Sequence, residues 1–173
     1  MPLTSRFCIT PSSTDLVTNT VTETAFAQYL TIEAATLKKS CLLEFGGAVK
    51  NVQTNSTDTL TVKAYLGTDL TNAGALIFDS GALDVADNDI CAFGGQFFVN
   101  TYAGASAGLL CGLGFGVPKS AGTAKFTTLG AVSAKIDLTA RMYLYVMATW
   151  SVASASNKAN LTALWAKVQP FAV

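Results

Sequence analysis

Histidine is absent from this chain, and its other candidate reactive side chains amount to four cysteines and eleven carboxylates. Without an imidazole, neither a serine nor a cysteine nucleophile can be paired with a histidine base. A hydrolase built on two carboxylates remains formally open. Its candidate residues, however, sit beside turns: Asp58, Asp69, Asp79, Asp84, Asp87 and Asp89. Acids in such places shape turns and keep a surface wet. The densest acidic stretch, Asp84-Val85-Ala86-Asp87-Asn88-Asp89, has the oxygen content of a calcium loop. It lacks the ligand spacing, central glycine and closing glutamate of an EF-hand, so it reads as a polar turn. Cys8, Cys41, Cys91 and Cys111 are widely spaced and form no CxxC pair, which leaves no local zinc motif. Cys41, Cys91 and Cys111 lie in apolar runs and are expected to be reduced core residues. These observations predict no catalytic residue, no cofactor and no metal site, and hence not an enzyme.

Gly112-Leu113-Gly114-Phe115-Gly116 superficially resembles a phosphate loop. The pattern is not GxGxxG, and Val117-Pro118 follows it instead of a helix start. A spacing of two places Gly112, Gly114 and Gly116 on one face of a strand, opposite Leu113, Phe115 and Val117. A face without side chains admits close approach by another backbone, sheet or subunit, so these glycines are a candidate interface, with tight internal packing as the alternative. Trp150 and Trp165 fall in alternating segments and are expected as core anchors. If exposed instead, Trp165 with Tyr143 and Tyr145 could line a sugar-binding groove. Asn55-Ser56-Thr57 and Asn160-Leu161-Thr162 match the glycosylation acceptor pattern. With no leader segment at the start of the chain, both read as coincidence.

The elements that would carry these residues are strands. Period-2 alternation is clearest over residues 57–66, where Leu60, Val62, Ala64 and Leu66 oppose Thr59, Thr61, Lys63 and Tyr65, and over 141–151, where Met142, Leu144, Val146, Ala148 and Trp150 share a face. Further strands are expected at 26–32, 40–50, 75–80, 90–101, 109–117, 124–129 and 160–168. Residues 31–38 could hold one helical turn, and 132–150 is a helical competitor that its aromatic and β-branched content disfavours. Ala103-Gly104-Ala105-Ser106 should close a hairpin. Residues 1–22, rich in Ser and Thr, predict an extended arm or a set of edge segments, and 23–173 a single domain. About eight or nine short strands at this spacing predict an all-β antiparallel sandwich of jelly-roll type.

Composition narrows the function. Hydrophobic residues make up 50% of the 173 and charged residues only 13%, with 11 basic and 11 acidic side chains in balance. So little charge suits a chain whose surface is partly buried against other chains, although many small residues would raise the average too. Lys38-Lys39 is the only adjacent basic pair, which argues against nucleic-acid binding. The longest apolar stretch, 103–117, is too short and too glycine-rich to span a membrane as a helix.

Several segments resemble a jelly-roll group of tailed-bacteriophage head decoration, or cement, proteins. They are Thr22-Glu23-Thr24-Ala25-Phe26, the run from Asn55-Ser56-Thr57-Asp58 through Thr59-Leu60-Thr61-Val62-Lys63 to Leu66-Gly67, and Ala148-Thr149-Trp150-Ser151 followed by Ala155-Ser156-Asn157. The resemblance spans about residues 22–170 and carries no catalytic residues. It implies two facing sheets of eight strands in all, a homotrimer, and a seat on the outside of a phage capsid after assembly in the host cytoplasm. The implied partner is the major capsid protein, whose neighbouring subunits such proteins bridge. A tail-fibre or baseplate module and a carbohydrate-binding module are the alternatives.

Overall fold

The computed structural model describes residues 5–9, 15–55, 57–71, 74–104, 108–120, 123–124 and 127–170. Expectations for Pro11 to Thr14, Ser56, Ala105 and Ser106 therefore lie outside the described residues, as do the side chains of 117–135. Among the described residues thirteen strands run in chain order: β1 (Ser5–Ile9), β2 (Leu16–Thr18), β3 (Thr24–Ala25), β4 (Leu30–Ile32), β5 (Cys41–Gln53), β6 (Thr59–Gly67), β7 (Ala75–Asp84), β8 (Ile90–Thr101), β9 (Gly108–Ser120), β10 (Thr123–Ala124), β11 (Thr127–Ile136), β12 (Met142–Trp150) and β13 (Lys158–Pro170). They form two antiparallel sheets. The larger follows the order β1-β13-β5-β8-β9-β10, with β2 also on β13 and β11 also on β9; the smaller follows β3-β12-β6-β7, with β4 also on β12.

The strand count exceeds the expected eight or nine chiefly because the start of the chain is cut into the short pieces β1 to β4. β1 and β2 pair with different stretches of one long strand, β13, so Ser5–Ile9 and Leu16–Thr18 supply edge segments of the sandwich. The side chain of Asp15 helps to hold this stretch. Its Oδ1 accepts the Ala27 N–H at 2.7 Å and its Oδ2 the Gln28 N–H at 3.0 Å. The Asn160 amide donates to the Asp15 carbonyl at 3.0 Å. β5 and β6 pair antiparallel with β13 and β12 in turn, so one long ribbon crosses from sheet to sheet and rolls up. That is the jelly-roll topology.

The strand at 26–32 is broken. Phe26 is buried and only Leu30–Ile32 pairs with β12. The helical turn anticipated at 31–38 is not formed: Thr31 and Ile32 are in β4, and a β-turn follows, closed by the Thr36 N–H on the Glu33 carbonyl at 3.1 Å with Ala35 at φ 60°. β7 runs on to Asp84, which pairs with Thr59, and so absorbs the start of the acidic segment.

Alternation sets the core. Leu43, Phe45 and Val49 of β5, Phe93 and Phe97 of β8, and Leu164, Ala166 and Val168 of β13 point inward from the large sheet. From the small sheet come Val62, Ala64, Ile77, Phe78, Met142, Leu144, Val146 and Trp150. Phe78 and Phe93 stack across the two sheets with centroids 5.1 Å apart. Burying such rings contributes roughly 1.5–3 kcal/mol each, which outweighs the weak propensities of the many glycines in these strands.

Candidate functional site: the outer face of the large sheet

The glycines at 112, 114 and 116 face inward. A Cβ on Gly114 would collide with the Ile77 carbonyl oxygen of β7, and one on Gly116 would lie 2.6 Å from the Phe78 ring. One on Gly112 would meet the Gln96 carbonyl and lie 2.6 Å from the Phe97 Cα. The close approach that the spacing anticipates is thus made at Gly114 and Gly116 by the chain's own second sheet, whose edge strand lies over β9. The alternative of tight internal packing describes these residues, and the surface available to a neighbour is the opposite one, carried by Leu113 and Phe115.

Both sheets have an outer face, and the chain treats them differently. On the small sheet, Tyr65, Tyr145 and Met147 form a second apolar cluster covered by Ala25, Leu70, Leu76 and Tyr143. The Tyr145 hydroxyl donates to the Thr71 carbonyl. Glu23 reaches over the sheet to accept the Tyr65 hydroxyl at 2.6 Å and the Lys63 ammonium at 2.7 Å. Burial, first, and the Glu23 contact, second, raise the Tyr65 phenol above its ordinary range. Burial likewise pushes Tyr145 up to about 12.

The large sheet has no such cover among the described residues. Trp165 is 43% exposed, Phe115 39%, Leu113 43%, Phe98 48% and Ile90 49%. Strand register collects them. Trp165, Gly46, Gly94 and Phe115 form one row across β13, β5, β8 and β9. Lys167, Glu44, Gln96 and Leu113 form the next, and Leu42, Phe98 and Cys111 the one beyond. On the other side of the aromatic row stand Ala163, Ala48 and Ala92. At Gly46 an added Cβ would lie 2.7–2.8 Å from Cζ2, Cε2 and Nε1 of Trp165, and at Gly94 it would lie 3.7 Å from Cζ of Phe115. Both rings therefore lean over a glycine floor and keep part of their surface toward solvent.

One ion pair lies at the centre of this face, and register places Lys50 beside Ile90 toward its end. Lys167 Nζ donates to Glu44 Oε2 at 2.9 Å, and Gln96 Nε2 donates to Glu44 Oε1 at 2.9 Å. The Lys167 hydrogen bond is the main cause that holds the Glu44 carboxyl below its ordinary range, with Gln96 adding to it.

Several expectations are corrected here. Trp150 is a core anchor, but Trp165 is a surface residue. Tyr145 is buried and Tyr143 lies with it on the far side of the sandwich from Trp165, so the three do not line one groove. Cys41 and Cys91 are in the core, and burial raises the Cys91 thiol to about 12. Cys111 lies half-exposed on the outer face and Cys8 is exposed.

The acids act mostly as turn formers. Asp69 caps Thr71, Asp79 the Gly81 N–H, Asp87 the Thr54 N–H and Asp89 the Ala86 N–H. Asp58 is buried against Asn157, whose amide donates to it at 2.8 Å and whose Oδ1 accepts the Asn55 N–H at 3.0 Å. Among the described residues no group of His, Cys, Asp or Glu could hold a metal ion, and no helix is long and apolar enough to cross a membrane.

No family model and no curated protein sequence matches the chain. Among solved structures, a seed lectin of Lotus tetragonolobus is similar over 97% of this chain and 100% of its own, at 6% identity and a TM-score of 0.46. A winged bean acidic lectin complexed with methyl-alpha-D-galactose is similar over 99% and 100%, at 11% identity and 0.46. A chain from the structure of infectious bursal disease virus, Gx strain, is similar over 96% of this chain and 32% of that one, at 11% identity and 0.42. Every one of these TM-scores is below 0.5, and the assignment as a jelly-roll β-sandwich stands on the chain's own strand pairing.

Proposed function

We propose that this chain is a structural protein of a virion, a decoration or cement protein that sits on a phage head and bridges neighbouring major capsid subunits. The observation that carries the reading is the contrast between the two outer faces: one is roofed by the chain's own segments, and the other exposes Trp165, Phe115, Leu113, Phe98 and Ile90 among the described residues. Clusters of exposed large apolar side chains on one face serve association. The low overall charge fits a protein held among neighbours. The motifs that resemble decoration proteins also meet in space, since Asn157 binds both Asn55 and Asp58. Many moderate contacts to several subunits would give stable attachment without one high-affinity site. The test is co-sedimentation of the purified chain with expanded phage capsids. Saturable pelleting and a raised capsid disruption temperature are expected, and a chain left in the supernatant at all ratios overturns the reading.

One observation favours a second reading, a carbohydrate-binding module. Trp165 lies over Gly46 with Glu44, Gln96 and Lys167 one row away. Pairing an aromatic surface with hydroxyl-binding polar groups is the chemistry that holds sugars. Glycan-array binding that disappears in Trp165→Ala would favour this reading over the first.

A further inference from the structure

We infer that the outer face of the large sheet binds an acidic polysaccharide, held by cationic side chains at two ends of the face with Trp165 between them. The inference rests on the carbohydrate-binding reading of that face and names the class of sugar it takes. Charge, spacing and polar chemistry carry it.

The chain is neutral as a whole, with 11 basic and 11 acidic residues, but its charges are segregated. The strands of the large sheet contain six basic residues and a single acid, Glu44, while the other ten carboxylates lie in β7 and in the connecting segments. Adjacency along the sequence hides this, because strand pairing gathers residues that are dozens of positions apart. Alternation turns Lys50, Lys158 and Lys167 away from the core, since their neighbours Val49, Ala159 and Val168 are buried in it. A face with this excess of cations concentrates polyanions.

Spacing narrows the class of polyanion. Register places Arg6 beside Lys167 and Glu44, one row from Trp165. Lys50 lies six residues along β5 from Glu44, about 20 Å away, and Lys158 ends β13 near it, opposite Gln53. The rows between hold Trp165, Gly46 and Gly94, then Ala163, Ala48 and Ala92, with no charge among the described residues. Nucleic-acid phosphates recur far more closely, about every 3.4 Å along a duplex strand. A polysaccharide with an acidic group on only some of its sugars matches two separated cationic ends and an uncharged middle.

Polar chemistry agrees. Trp165 is 43% exposed and leans over Gly46, so it offers a sugar ring an apolar surface. In the next row Glu44 accepts from both Lys167 and Gln96, which fixes a carboxylate and an amide in place. Such groups bind sugar hydroxyls, whereas a fixed carboxylate repels a phosphate backbone.

Titration of the full chain with two acidic polymers, each beside its uncharged counterpart, tests this. The pairs are polygalacturonate with its carboxyl-reduced form, and dextran sulfate with dextran. At least one acidic polymer should bind about 10-fold or more tighter than its counterpart, and more weakly as salt rises. Lys50→Gln and Lys158→Gln together should weaken the acidic polymer several-fold and leave the uncharged one as it was. Trp165→Ala should weaken both. In the unmodified protein the polymer should change the emission of exposed Trp165, a readout independent of whether the variants fold. Equal binding of charged and uncharged forms overturns the inference and leaves the carbohydrate reading standing. Binding of none of the four overturns both. A single-stranded oligonucleotide that binds tighter than either acidic polymer overturns the inference in favour of nucleic acid, and acidic binding that survives the paired lysine substitutions overturns it as well.

Discussion

At the scale of single residues, glycine does two opposite jobs in this protein, and substitution separates them. At Gly114 the neighbour is the Ile77 carbonyl, fixed in β7, so Gly114→Ala must push the sheets apart. Overpacking of this kind costs about 1–3 kcal/mol or more, and thermal melting should show a drop of many degrees. At Gly46 the neighbour is the Trp165 ring, which can swing into solvent. Gly46→Ala should therefore cost less than about 1 kcal/mol while displacing Trp165, read as little change in melting temperature and a changed tryptophan emission. The buried acidic protons make a second prediction. Burial raises Cys91 and Tyr145, each to about 12, from ordinary values of 9.0 and 10.0. The unfolded chain releases these protons first. The stability they confer is complete below about pH 9 and declines as pH rises toward 12. Chemical denaturation between pH 8 and 11 should show this fall, and at neutral pH Cys91 should resist alkylation that reaches Cys8.

Among elements, one side chain ties three loop segments at one end of the sandwich. Asn157 is fully buried, donates to Asp58 and to the Val152 carbonyl, and accepts from Asn55. Asn157→Ala leaves the buried Asp58 carboxylate without this donor, a loss of about 3 kcal/mol. Denaturant titration against Asn157→Asp, which keeps the shape but adds a second acid, should rank both far below the parent. The strands of this framework were legible wherever one face is buried and the other wet. Residues 90–101 and the alternation at 142–150 appear as read, because a period of two has one structural meaning there. β4 falls inside the strand expected at 26–32, but the bounds of β1 to β3 were not legible, since edge segments of two to five residues pair with a neighbour instead of burying a patterned face. The outer face was illegible for a related reason. Trp165 alternates correctly, and alternation locates it on the face opposite Leu164 and Ala166 without saying which face is inside. The side was decided by the neighbouring small residues, Gly46 and Gly94, which only strand register brings beside it.

For the whole molecule, the charge balance of the large sheet's outer face depends on pH. Glu44 is held below its ordinary carboxylate range chiefly by the Lys167 hydrogen bond, so the pair contributes at and above that range and is lost as pH falls through the lowered value. Register places Lys50 beside Ile90 on the same face, so protonating Glu44 leaves that face with uncompensated positive charge. Repulsion across the face should then add to the loss. Added salt should restore part of the stability in acid, where repulsion dominates, and little at neutral pH. Glu44→Gln provides the control. It fixes the face in its acid state at every pH, so it should start less stable at pH 7 and lose less than the parent on acidification. Thermal melting from about pH 7 to about pH 3, with and without added salt, checks both statements. A stability that falls equally in parent and variant would place the acid sensitivity elsewhere in the chain.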